Sequence, residues 1–185
     1  MKDLHEILKN MKDISEISLI TANTAVFSGN KNLAKVSLDL ENVFKVTRDE
    51  AYRILFGLKG IKKDLLITVT DIIERIGDIV GSASELANIV LKRELHPVLK
   101  GVVGEEEKRA FLVSVKQGPI LGKSLMELNL EVKMGIKVLA IKRGERWLID
   151  PKSKEKLRDG DLLVCFGKEK SEDMFKKAIS GIIRI

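Results

Sequence analysis

Cysteine is almost absent from this chain of 185 residues, and the single one, Cys165, excludes an intramolecular disulfide and any cysteine-based zinc cluster. Histidine is nearly as scarce, with His5 and His96 the only imidazoles, and neither G-x-S-x-G nor H-E-x-x-H occurs. Nucleophilic acyl transfer and zinc hydrolysis are thereby disfavoured, and a non-enzymatic protein is expected. No apolar run approaches the roughly 18 residues that a membrane span requires. The first ten residues are too charged for the core of a signal peptide. These absences predict a soluble protein in a reducing, cytoplasmic setting, without direct membrane insertion. Aromatics number only eight, six Phe with Trp147 and Tyr52.

What the chain does contain is charge and aliphatic bulk. Apolar residues make up 44% and charged residues 32%, enough for one large or two small packed domains. The net charge of +6 is unevenly placed. Residues 1–100 hold 15 basic and 14 acidic side chains, residues 101–185 hold 18 and 13, and nine of the 14 glycines also fall in the second segment. The front half therefore reads as helical and the back half as turn-rich.

Apolar residues recur at three- and four-residue steps from Leu4 to Ala25, from Leu33 to Leu58 and from Leu65 to Val90. This periodicity predicts three helices of about 25 residues, joined by short turns as an antiparallel bundle. Residues 97–107, with two glycines and three consecutive glutamates, read as a linker. Beyond them the pattern predicts a strand at 110–116, and Ser124 with Glu127 forms a capping box that opens a helix to about Met134. Strands at 136–142, 147–150 and 162–166 and a helix at about 171–180 complete a β-α-β-β-β-α order. The fold expected is thus two-domain: an all-α antiparallel three-helix bundle over 1–96, and a small α+β domain over 108–185.

The third helix holds Asp71-Ile72-Ile73-Glu74-Arg75-Ile76-Gly77-Asp78, followed by Ala83, Asn88 and Ile89. This resembles the D-x-E-R-I-G-D-x-x-x-N-I signature of the PhoU family, and Leu38 to Val43 resembles that family's L-E-x-x-V segment. The resemblance implies one three-helix PhoU repeat, and it carries metal binding, by a divalent or ferric ion, to Glu74 and Asp78. On a helical wheel Asp71, Glu74, Asp78 and Glu85 form one acidic ridge, whose alternative reading is a solvated face with Arg75 as a local counter-charge.

Residues 108–183 resemble the TrkA-C domain, the C-terminal half of modules that regulate conductance of K⁺. The matching elements are Gly118 with Leu121-Gly122-Lys123-Ser124-Leu125 and Leu128, Gly135 before Val138 to Arg143, Leu148-Ile149-Asp150-Pro151, and Leu157, Gly160-Asp161, Leu163-Val164 and Gly167. The resemblance implies a homodimer that holds a small anionic ligand, in some members the nucleotide cyclic di-AMP, where two copies meet. It also implies a membrane cation channel or transporter, in the first instance for potassium, as partner. Lys142 and Arg143, at the end of the strand that follows the short helix, are the expected ligand contacts. The alternative is a metal-binding or phosphate-signalling adaptor built on the acidic ridge.

Two further motifs carry less. Gly118 to Ser124 is one residue short of a Walker A loop, and Pro119 deletes a backbone donor, so nucleotide hydrolysis is not expected. Ile120 and Leu121 are expected to point into a core. Residues 137–158 hold eight basic side chains against three acidic ones. Such a stretch attracts an anionic partner, but it lacks the interleaved aromatics of single-strand binders, and nucleic acid is not the expected partner.

Overall fold

The structure is a computed structural model, and it describes residues 3–99, 102, 104, 107–116 and 118–182. The chain divides into two compact units, Met1–Leu99 and Lys100–Ile185.

In the first unit, helices α1 (Leu4–Ser28), α2 (Lys31–Gly57) and α3 (Lys63–Lys92) pack pairwise on one another. Local chemistry sets their ends. The Asp3 carboxylate accepts the Glu6 N–H at the start of α1, and Gly29 closes it in the left-handed conformation that a residue without Cβ adopts at little cost. Asn30 then caps α2 by accepting from the N–H groups of Asn32 and Leu33, so two residues reverse the chain. The stripes predicted by the periodicity are the faces that meet. Ile7, Met11, Ile14, Leu33, Leu40, Phe44, Leu55 and Ile73 are all fully buried, each contributing about 1.5–3 kcal/mol of transfer free energy. Helix α3 ends at Lys92, and a single 3-10 turn follows at Pro97–Leu99. Of the expected linker, residues 100, 101, 103, 105 and 106 lie outside the described residues.

The second unit holds strands β1 (Arg109–Ser114), β2 (Lys137–Arg143), β3 (Arg146–Ile149) and β4 (Leu162–Gly167) and helices α4 (Leu125–Leu128), α5 (Leu130–Met134) and α6 (Glu169–Ile179). The sheet is antiparallel with order β1-β4-β2-β3, so the last strand in sequence lies between the first and second. Phe111, Leu128, Ile136, Ile141, Leu163, Cys165 and Phe175 form its core. Arg109 on β1 pairs with Glu169 of α6 at 2.9 Å and Glu172 at 3.7 Å, pinning that helix to the sheet edge.

Two details depart from expectation. The helix predicted from Ser124 to Met134 is two short helices, because Asn129 adopts a left-handed conformation (φ 45°) that ends α4 and opens α5. Asparagine tolerates this region better than most residues with a Cβ. Ile120 is buried as expected, whereas Leu121, next to Gly122 in the left-handed conformation, is 39% exposed.

Candidate functional site

The capping box is present in full. The Ser124 hydroxyl accepts the Glu127 N–H at 3.3 Å, and the Glu127 carboxylate accepts from the Ser124 N–H at 2.7 Å and its hydroxyl at 2.6 Å. Those bonds hold the Glu127 carboxyl below the usual carboxylate range. The box ties the first turn of α4 to the residue that precedes it. Beside it, a strap of chain after β3 is sewn to the same turn. Met126 N–H donates to the Ser153 carbonyl at 2.7 Å, Leu125 N–H to Glu155 at 3.0 Å, and Leu157 N–H to Lys123 at 2.9 Å.

Between the α4–α5 segment and this strap lies a cleft of about 460 Å³. Its floor is apolar, from Leu125, Leu130, Ile136 and Val138. Its rim is polar, with Asn129 and Glu131 on the helical side, Lys137 at the start of β2, and Asp150 and Ser153 on the strap next to Pro151. Asn129 and Asp150, both at φ 45°, are the non-glycine residues with positive φ among those described, and both line this cleft. Unfavourable backbone conformations of this kind concentrate at ligand sites, where the surrounding structure holds them in place.

The expected contacts Lys142 and Arg143 do not line the cleft. They stand at the far end of β2, about 17 Å (Lys142) and about 20 Å (Arg143) along the strand from Lys137 at 3.3 Å per residue. The Lys142 ammonium lies 5.6 Å from the centre of the Trp147 ring. Arg143 makes four hydrogen bonds within the domain. Its Nε donates to Asp161 at 2.8 Å, one terminal nitrogen to Glu155 at 2.7 Å, and the other to Asp161 and to the Lys156 carbonyl, each at 2.9 Å. Asp161 has no exposed surface and also accepts the Arg158 N–H at 2.9 Å. Burial alone raises its carboxyl pKa, but Arg143 and the Arg158 N–H outweigh that effect and hold it below the ordinary value. Arg143 thus braces the strap that walls the cleft.

On the helical unit, Asp71, Glu74, Asp78 and Glu85 are all exposed, as the wheel implied. The Glu74 carboxylate accepts a hydrogen bond from the Tyr52 hydroxyl of α2, and Asp78 pairs with Arg75 at 2.9 Å. Partial burial and then Glu74 push the Tyr52 phenol up to about 12. Asp13 and Glu16 of α1 are drawn to Lys12, at 2.8 and 3.0 Å. Among the described residues, no cluster of three or more His, Cys, Asp or Glu side chains could hold a metal ion. The metal expectation at Glu74 and Asp78 therefore finds two carboxylates, each turned to its own partner. Cys165 is wholly buried, and burial pushes its thiol up, as suits a core residue. Among the described residues no helix is long and apolar enough to cross a membrane.

Residues 111–180 match the family profile of the TrkA-C domain. The match covers most of the C-terminal unit and is a likeness of that unit to the TrkA-C domain. Potassium channel protein 1 of Methanocaldococcus jannaschii is 25% identical over 158 residues, covering 81% of this chain and 46% of that protein. The Ktr system potassium uptake protein C of Bacillus subtilis is 27% identical over 73 residues, covering 40% of this chain and 33% of that protein. The chain thus spans less than half the length of these two curated relatives. Among solved structures, the regulator of conductance of K⁺ (RCK) C domain of the potassium transport protein KtrA, in complex with cyclic diadenosine monophosphate, is 28% identical. That likeness covers 38% of this chain and 82% of the other, with a TM-score of 0.37. The TrkA-C profile falls on the unit that contains the cleft.

Proposed function

We propose that this protein is a non-enzymatic regulator of a cation transport system, in the first instance a potassium channel or transporter. In this reading its TrkA-C domain works as a homodimer and senses a small ligand in the cleft between α4–α5 and the strap. The observation that carries the reading is the cleft itself, with an apolar floor, a polar rim and the two left-handed residues Asn129 and Asp150 at its edges. The chemistry suits a nucleotide. A flat base lies against Leu130, Val138 and Pro151, its edge finds donors and acceptors in Asn129, Asp150 and Ser153, and Lys137 supplies the positive charge for a phosphate. Ligand contacts accordingly belong to Lys137 and Asn129, while Arg143 positions the wall.

Exposed apolar side chains at the same end of the domain, Met126 at 59% and Val132 at 80%, suit a second copy of the domain. A ligand held between two copies acts through its differential affinity for their arrangements, typically about 1–3 kcal/mol. In this reading the PhoU-like pattern of the N-terminal unit describes a helical scaffold. The test is thermal unfolding of the full chain against a panel of adenine mono- and dinucleotides, cyclic dinucleotides included. A midpoint rise with one of them that is lost in Lys137→Ala supports the reading. No rise with any member of the panel, or a rise unchanged in Lys137→Ala, sinks it.

A further inference from the structure

Helix α3 carries more apolar surface than the bundle consumes. Its buried side is formed by Ile73, Val80, Ala83, Ala87 and Val90. A second line of aliphatic residues, Leu65, Ile72, Ile79 and Leu86, recurs at every seventh position. Leu65 is 54% exposed, Ile72 49% and Ile79 44%, while Leu86 is half-buried. Residues three positions further on, Thr68, Arg75, Ser82 and Ile89, complete the same stripe, and all are exposed. A strict seven-residue repeat drifts by about 20° per heptad on a straight α-helix, so it stays in line only against another helix in a left-handed supercoil.

The surface relief fits that partner. A shallow groove on this face is lined by Thr68, Asp71, Ile72, Arg75, Ile76 and Ile79. These make two consecutive four-residue sets at spacings i, i+3, i+4 and i+7, first from Thr68 to Arg75 and then from Ile72 to Ile79. Each set is the hole into which a coiled-coil neighbour inserts one side chain. Along the stripe the small Thr68 and Ser82 leave room beside Leu65, Ile72 and Ile79, while Arg75, between Ile72 and Ile79, turns its guanidinium out to Asp78.

We infer that the α3 stripe is a second self-association surface, on which the α3 of another copy of this chain packs as a two-helix seam. Three features select a second copy. The stripe is self-complementary, offering the knobs and holes that an identical helix needs. The one charge within the stripe, Arg75, is paired with Asp78 at 2.9 Å, and Asp71 lies on its other side, so the face presents no one-signed field to select an acidic or a basic partner. The area also suffices. The exposed parts of Leu65, Ile72, Ile79 and Ile89 make a patch of roughly 400 Å². Counted on two copies this is about 800 Å² of apolar surface, and the exposed Thr68, Arg75 and Ser82 of the same stripe add to it, which brings the face into the range of a specific interface. The stripe lies on the helical unit, and the inference does not rest on the cleft being occupied.

Sedimentation of the full chain tests this with five proteins: wild type, Ile72→Asp/Ile79→Asp, the cleft-side variant Met126→Asp/Val132→Asp, all four substitutions together, and the control Ile67→Asp. All four positions are at least 44% exposed, and circular dichroism checks that each variant keeps its helices. The cleft-side variant is expected to remain self-associated. Adding the two α3 substitutions should weaken that association at least about a hundredfold, to monomer at micromolar concentration. Ile67→Asp, equally exposed at 49% but about 100° around the helix from the stripe, should change nothing. A monomeric wild type, a cleft-side variant that is already monomeric, or an Ile67→Asp effect as large as that of the stripe overturns the inference. The nucleotide-induced thermal shift is read separately, so loss of the seam and loss of the ligand site are told apart.

Discussion

At the scale of single residues, Arg143 shows how far a side chain's role departs from what its charge suggests. A basic residue at the end of a strand, in a stretch of eight basic residues, invites an anion from outside. The anions it meets belong to its own chain. Asp161, wholly buried, and Glu155 take its guanidinium in three bonds of 2.7–2.9 Å. Removing it in Arg143→Ala leaves a buried carboxylate without its counter-charge, and chemical denaturation should show a loss of about 3–5 kcal/mol. Arg143→Lys should recover only part of this, because a single ammonium cannot reproduce a planar fork with bonds to two carboxylates and a carbonyl. The pH dependence has a definite sign. The Asp161 carboxyl is held below its ordinary value in the folded state, so its contribution is present above the unfolded carboxylate pKa and is lost as pH falls through the folded one. An acid titration of stability should therefore be flatter in Asp161→Asn than in wild type below the ordinary carboxylate value, and equally steep variants would discount the pair.

At the scale of elements, what the sequence made legible was local and periodic. The three long helices followed from 3.6-residue periodicity, and the observed ends, 4–28, 31–57 and 63–92, lie within a few residues of the stripes read from Leu4, Leu33 and Leu65. The Ser124–Glu127 capping box was legible because both halves of its chemistry lie three residues apart. The break at Asn129 was not, since a left-handed asparagine leaves the apolar pattern on both sides intact. The pairing of β1 with β4 and the cleft were hidden for a further reason: residues from 125 to 153 converge there only through the tertiary fold. The same limit governs the acidic ridge. The wheel placed Glu74 outward but could not show Tyr52 arriving from α2.

Helix α3 allows a contrast that isolates packing from propensity. Alanine is worth up to about 1 kcal/mol over glycine in a helix interior. A Cβ at Gly81 meets nothing within 4 Å, so Gly81→Ala should raise the melting temperature. A Cβ at Gly77 lies 3.3 Å from the Phe44 ring, so Gly77→Ala should gain less or lose outright. Equal gains at both sites would mean that the α2–α3 contact at Phe44 yields freely. In the sheet unit, Gly118→Ala would drive a Cβ to 2.9 Å from the Ile179 carbonyl, against backbone that cannot swing away. A destabilisation of about 1–3 kcal/mol is expected by denaturant titration.

At the scale of the whole molecule, the proposed regulator has two separable requirements, a ligand that prefers one arrangement of paired domains and a pairing strong enough to make that preference felt. Thermodynamic linkage ties them. If the ligand sits between two copies, the factor by which it tightens pairing equals the factor by which pairing tightens the ligand. Nucleotide affinity should then depend on protein concentration, weakening as the chain is diluted below its dissociation constant for self-association. Calorimetric titrations at two protein concentrations a hundredfold apart, bracketing that constant, read the effect directly. The single variant Val132→Asp, whose substitution lies outside the cleft lining, should bind nucleotide weakly at both concentrations, because it retains the cleft of one copy without the other. An affinity independent of concentration in the wild type would place the whole ligand site within one copy. Pairing would then have to be coupled to the ligand through a change in the strap at Asp150 to Ser153, and Arg143→Lys, which loosens that strap, would be the variant that uncouples them.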